Sequence, residues 1–246
     1  MGLQEIIMEL DEGPLPAEAE AFVVEAERQI DELFETERNR RMPKYLPSDP
    51  RVFYRALAYL TEQDLPLGRT FCEWGSGFGL ATGLAAQLGY KAFGLELEDE
   101  LVDASVALGE KMGVDYEILQ TSYLPEGFET FRAVGGTGLI IPDHHSDNGS
   151  GDYFSPSYEG MEMTTDEVDV YFVYPWPREH HLMQQLFETV ACDGSILLLY
   201  HGENELRAYR RVIGEEKQED ELDEEEEEEG NVEEGWGSDD DEDEWN

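Results

Sequence analysis

Basic residues are scarce in this chain. Lys and Arg number 16 among 246 residues, against 59 Asp and Glu, and the formal charge is −43. Residues 215–246 hold 20 acids and one lysine; that stretch accounts for −19 and leaves −24 on the rest. Such a body repels a phosphate backbone, because nucleic-acid binding rests on basic patches. Nucleic acid is thereby disfavoured, and a basic protein or a small molecule fits better. Cysteine is also scarce. Cys72 and Cys192 each fall in or beside an expected buried strand, which reads as two free thiols and gives no disulfide framework. No apolar run approaches the roughly 18 residues of a membrane span. Met1 to Leu10 carries acids and lacks the basic start of a signal peptide. Met1-Gly2 is not followed by Ser or Thr at position 6, so the myristoylation pattern fails. These absences lead us to expect a soluble, cytoplasmic protein with no membrane partner.

What is present is concentrated in Phe71-Cys72-Glu73-Trp74-Gly75-Ser76-Gly77-Phe78-Gly79-Leu80-Ala81-Thr82-Gly83. An apolar lead-in, an acid, three alternating glycines and a helix-like run to Leu88 read as strand, tight turn and helix start. Glycine lets a ligand approach the backbone closely, and free N–H groups at a helix start favour polar or anionic ligands. In the dinucleotide fingerprint the third glycine comes one residue later. Here it falls at Gly79, and Glu73 stands two residues before the first glycine. Both departures point away from NAD.

Glu73-x-Gly75-x-Gly77-x-Gly79 resembles motif I of class I S-adenosylmethionine-dependent methyltransferases. Ala92-Phe93-Gly94-Leu95-Glu96-Leu97 follows as a short apolar strand ending in an acid, about 20 residues on, where a carboxylate can accept both ribose hydroxyls. A plain βαβ unit with a surface glutamate is the alternative reading of the same residues. The resemblance covers about residues 50–205 and implies a Rossmann-like α/β sheet that binds S-adenosylmethionine. The implied cofactor set is Glu73, Gly75, Ser76, Gly77, Gly79, Glu96, Leu97, Ser122 and Tyr45. In it the glycines admit the methionine part, Glu73 orients the loop or the amino group, and Glu96 holds the ribose.

The remaining segments are read around this motif. Ala17 to about Arg41 has helical spacing through Phe22, Ala26, Ile30, Leu33 and Phe34. Pro43, Pro47 and Pro50 interrupt the next stretch, after which Ser48 or Asp49 caps a helix with Pro50 in its first turn. Pro43-Lys44-Tyr45-Leu46-Pro47-Ser48 distantly resembles the entry segment of ATP synthase c-subunit lysine methyltransferases; Tyr45 and Ser48 are either active-site lip residues or an ordinary turn. After the third strand, Val114 to Leu119, many relatives carry an acid that holds the adenine amino group. This chain reads Gln120-Thr121-Ser122-Tyr123, so Thr121, Ser122 or a backbone carbonyl takes that place. Residues 124–166 are turn-rich and read as an inserted loop or lid. Within them Asp143, His144, His145 and Asp147 match no zinc spacing, and no metal is assigned.

Val168 to Tyr174 is the fourth strand and runs into Pro175-Trp176-Pro177. The resemblance places catalytic residues here, so Tyr174, Pro175 and Trp176 are assigned to the acceptor side; a rigid aromatic turn that only shapes the pocket is the alternative. Amino-group methyltransferases often carry Asn or Asp before such a turn, and this chain does not. Glu179, His180 and His181 open the next helix, where a histidine is either a base or a surface group. Ser195 to Tyr200 is the fifth strand, and Glu205 to Ile213 reads as a last helix.

These readings make residues 1–48 an N-terminal helical extension, 49–213 a methyltransferase domain and 214–246 a disordered acidic tail carrying Trp236 and Trp245. The sheet is expected to have five parallel strands in the order 3-2-1-4-5 and to be truncated after strand 5. Its fifth edge would be covered by the last helix, the N-terminal segment or a second subunit. The implied activity is methyl transfer from S-adenosylmethionine to a nucleophile, a protein side-chain nitrogen favoured. The alternative is a non-catalytic cofactor-binding or interaction module whose acidic tail holds a basic partner.

Overall fold

Alternation of apolar residues across two faces builds this molecule. The computed structural model describes residues 2–35, 48–133, 136–140 and 156–213. In chain order the elements are β1 (Gly2–Ile6), α1 (Ala17–Glu35), α2 (Pro50–Glu62), β2 (Thr70–Trp74), α3 (Leu80–Gln87), β3 (Lys91–Glu96), α4 (Asp99–Met112) and β4 (Glu117–Gln120). They continue with β5 (Glu129–Ala133), β6 (Gly136–Ile140), β7 (Val170–Val173), α5 (His180–Val190), β8 (Ile196–Gly202) and β9 (Glu205–Val212). Seven strands form one sheet in the order β1-β9-β8-β7-β2-β3-β4, while β5 and β6 pair antiparallel by themselves. From β8 to β4 every neighbouring pair is parallel.

Successive strand residues point to opposite faces. Phe71, Val170, Phe172, Ile196 and Leu198 face the cluster that includes Phe22, Phe53, Leu57 and Leu84 from α1, α2 and α3. Cys72, Tyr171, Val173, Leu197 and Leu199 face the cluster that includes Leu182, Leu186 and Phe187 of α5. Strands buried on both sides explain the near-continuous apolar runs. Asp49 caps α2 by accepting from the Arg51 and Val52 N–H groups, and Pro50 occupies its first turn. Helix α1 is tied to its neighbours by ion pairs, Arg51 to Glu20 and Glu27, and Lys111 to Glu25. These pairs are partly exposed, so they orient α1 more than they stabilise it.

The parallel core follows the expected order, since β4-β3-β2-β7-β8 is strand order 3-2-1-4-5. The expected truncation after the fifth strand is corrected. Residues 205–212 are not a helix but β9, antiparallel to β8. The cause is the turn: Glu203 and Asn204 both adopt left-handed conformations, with φ of 49° and 64°, the backbone of a two-residue hairpin. The N-terminal residues then supply β1, which pairs antiparallel with β9. Residues 1–214 make up one unit, so β1 and α1 belong with the sheet. Of the expected lid, the described parts include Phe128, Tyr158 and Met161, which are buried in the α5-side core. Residues 141–155, including 143–147, lie outside the described residues, as does the tail. Among the described residues no helix is long and apolar enough to cross a membrane.

Candidate functional site

The sheet order reverses between β2 and β7, and ligands of open α/β sheets lie in the crevice outside the strand ends at such a point. A cavity of about 790 Å³ opens there. Its floor is the turn after β2. Gly75, Gly77 and Gly79 have φ of 74°, 54° and 69°, a region open to glycine and strained for other residues. The Gly75 and Ser76 N–H groups both donate to the Leu95 carbonyl at 2.9 Å, and Gly79 N–H donates to the Ser76 carbonyl at 2.8 Å.

Two carboxyl groups flank this turn. Glu73 is 6% exposed, and its Oε2 accepts from both the backbone N–H and the hydroxyl of Thr82, at 2.9 and 2.6 Å. Burial pushes its carboxyl up to about 8, the Thr82 bonds oppose that shift, and the Glu96 charge adds to it. Glu96 ends β3. Its Oε2 accepts from Gly77 N–H at 2.8 Å, and its Oε1 from the N–H groups of Leu97 and Glu98 at 2.7 and 3.0 Å. The acid and the glycine turn, 19 residues apart in sequence, are therefore hydrogen-bonded to each other.

Of the residues assigned from sequence, Glu73, Gly75, Ser76, Gly77, Glu96, Leu97, Tyr174, Pro175 and Trp176 line the cavity. Gly79 is not among the lining residues. It is the N-cap of α3, and a Cβ there would lie 2.0 Å from the Ser105 hydroxyl of α4. Its smallness serves helix packing beneath the turn. Ser122 is also absent from the wall; its hydroxyl accepts from Leu124 N–H, while Thr121 and Tyr123 on either side line the cavity. Tyr45 lies outside the described residues, and Ser48 lines the cavity. His180 does not reach the cavity. Its ring stacks on His201, centroids 4.7 Å apart, and both Nε2 atoms are buried without a hydrogen-bond partner. Burial, followed by the His180 charge, lowers the His201 pKa. His181 is exposed.

The sequence reading missed part of the wall. Glu27, Ile30 and Asp31 of α1 line the cavity, because Ile30 and Leu33 pack against the Phe78 and Leu101 cluster beside the glycine turn. Their helical spacing was visible, but the face they cover was not. Met183 of α5 also joins the wall.

No protein-family model matches the sequence, and no curated protein matches it. Solved structures give partial likenesses. An RNA methyltransferase from Salinibacter ruber, in complex with S-adenosyl-L-homocysteine, is 18% identical, with a TM-score of 0.44 over 71% of this chain and 98% of that one. A methyltransferase from Geobacter sulfurreducens is 11% identical, with a TM-score of 0.45 over 81% and 93%. An S-adenosylmethionine-dependent methyltransferase from Clostridium acetobutylicum is 7% identical, with a TM-score of 0.40; this chain spans 56% of its length. The strand order and the position of the cavity define the architecture as an open Rossmann-like α/β sheet with its cavity at the point where the strand order reverses.

Proposed function

We propose that this protein is an S-adenosylmethionine-dependent methyltransferase and that it acts on a nitrogen of a protein side chain. The observation that carries the reading is the meeting of the glycine turn and Glu96 across one cavity at the point where the strand order reverses.

The residues present fit the cofactor. A Cβ at Gly75 would meet nothing within 4 Å, so the turn leaves open space for a ligand against its backbone. The Ser76 hydroxyl is buried without a partner, and Glu73 Oε1 makes no hydrogen bond among the described residues. Both are groups that a polar, cationic ligand would satisfy. A carboxylate offers about four acceptor sites. Glu96 already receives three backbone N–H groups, so holding two ribose hydroxyls requires it to release one of them. Thr121 and Tyr123 stand where an adenine-contacting acid is common in relatives, and Leu97, 60% exposed, offers an apolar face beside them. When bound, S-adenosylmethionine supplies a methyl group on a positively charged sulfur. The work left to the protein is proximity and alignment of the nucleophile, for which the rigid Tyr174-Pro175-Trp176 turn is suited.

The test is calorimetric titration of S-adenosylhomocysteine into the wild-type protein and Glu96→Ala. We expect micromolar binding that weakens roughly 10–100-fold in the variant, the scale of lost charge-assisted hydrogen bonds. Absence of binding to the wild type, or equal binding to both, overturns the reading.

A further inference from the structure

We infer that the methyl acceptor is a protonated aliphatic amine, drawn by Glu179 into the part of the cavity walled by Tyr123, Tyr174 and Trp176. This rests on the methyltransferase reading above and gives its acceptor a charge.

Three observations support it. The first is the sign of the wall. Its described residues include six carboxylates and no lysine, arginine or histidine. One of the six, Glu27, is paired with Arg51. Another, Glu73, is almost fully buried and keeps its proton up to about pH 8, so the charge of the wall comes from Asp31, Glu96, Glu98 and Glu179. A cleft of one sign with low-dielectric walls concentrates the opposite charge and repels its own. A cationic acceptor is therefore favoured over a phosphate or carboxylate one.

The second observation is a set of unused acceptors. Glu179 precedes α5, and its backbone N–H is held by the Trp176 carbonyl at 2.9 Å. Its carboxylate makes no hydrogen bond or ion pair among the described residues, and the hydroxyls of Tyr123 and Tyr174 make no hydrogen bond there either. Glu179 is close enough to Tyr123 for its charge to add to the burial that raises the phenol's pKa. Glu179 and its neighbour Tyr123 offer acceptors to the N–H donors of an ammonium, while the Tyr174 ring, packed on Tyr200, walls the cavity. A guanidinium presents five donors in a planar fork suited to paired carboxylates.

The third observation is the aromatic surface. Trp176 is 40% exposed at the cavity, and indole and phenol faces attract ammonium groups by about 0.5–2 kcal/mol. The ammonium must lose a proton before its nitrogen has a lone pair to donate. That proton passes to solvent, which Trp176 reaches.

The experiment follows the indole N–H signals of the full-length ¹⁵N-labelled protein, with Trp176→Phe identifying the Trp176 peak. Separate indole peaks keep any binding by the acidic tail, which holds Trp236 and Trp245, apart from binding at the cavity. With S-adenosylhomocysteine present, n-butylammonium, n-butanol, butyrate and ethylguanidinium are titrated in turn. We expect a saturable shift of the Trp176 peak with butylammonium, about tenfold weaker apparent affinity for the other three, and about tenfold weaker butylammonium binding in Glu179→Gln. A thermal unfolding midpoint within about 2 °C of wild type shows that the variant is folded. No saturable shift with butylammonium overturns the inference. An equal response to butanol, butyrate or ethylguanidinium, or an unchanged Glu179→Gln, also overturns it. If calorimetry finds no S-adenosylhomocysteine binding, the methyltransferase reading fails as well. If that ligand binds and the amine arm fails, only the acceptor inference is lost.

Discussion

At the glycine turn the cavity is shaped by backbone. Gly75, Ser76 and Gly77 donate their N–H groups to the Leu95 carbonyl and the Glu96 carboxylate, and Thr82 holds Glu73 by two bonds. At residues 174–179 the same cavity is shaped by side chains. Two prolines set the chain direction, the Tyr174 ring packs on Tyr200 with centroids 4.8 Å apart, and the polar ends of Tyr174 and Glu179 are left unbonded among the described residues. One half is preorganised by its backbone bonds, with the Ser76 hydroxyl and Glu73 Oε1 left for a ligand. The other holds its polar groups in reserve. Such a division suits a ligand of fixed structure on the first side and an incoming nucleophile on the second.

The sharpest way to break the comparison is to crowd the backbone half. Gly79→Ala places a Cβ in a left-handed position, 2.0 Å from the Ser105 hydroxyl. We expect a loss of about 2–4 kcal/mol in urea unfolding. Adding Ser105→Ala removes the clashing oxygen, which has no hydrogen-bond partner, and should restore about half of the loss. A double variant no more stable than Gly79→Ala alone would mean that backbone strain, not the contact, dominates.

A smaller effect belongs to Glu73. Its carboxyl is raised from 4.5 to about 8 by burial. Between these values the folded state holds a proton that the unfolded state has released. The stability linked to Glu73 is therefore full below about 4.5 and is lost as pH rises through 8. The whole chain also gains negative charge over this range, so the comparison needs a variant. The urea midpoint should fall less steeply from pH 5 to 8.5 in Glu73→Gln than in wild type, by an integrated difference of about 1–3 kcal/mol. Parallel pH profiles would mean that Glu73 is ionised in the folded protein.

The smallest effect tests the side-chain half. Trp176→Ala should change stability by no more than about 0.5 kcal/mol, because the indole is 40% exposed and no described hydrogen bond depends on it. A loss above about 2 kcal/mol would show that this turn, too, is a structural keystone.

Much of the backbone half was legible in the sequence. A strand, a glycine turn and a distant acid are local patterns with fixed spacing, and Asp49-Pro50 announces a helix start by its own chemistry. Gly79 shows the limit of such reading. Its spacing matches the motif, but its packing role depends on Ser105 in the next helix. Residues 205–212 failed for another reason. Leu206, Tyr209 and Ile213 lie at helical spacing and mask a strand that alternates only weakly. The telling signal was the turn before it, where Asn204 readily accepts a left-handed conformation. The contribution of α1 to the wall was not legible, because an amphipathic stripe shows which residues are buried but not what they are buried against.

The pairing of Gly2 with Val212 bears on the order of assembly. During synthesis β1 precedes β9, its strand partner among the described residues, by roughly 200 residues. At about 5–20 residues per second that is a wait of roughly 10–40 s. The parallel core from β2 to β8 has all its strands before then, so those strands can pair before β1 has β9 to pair with.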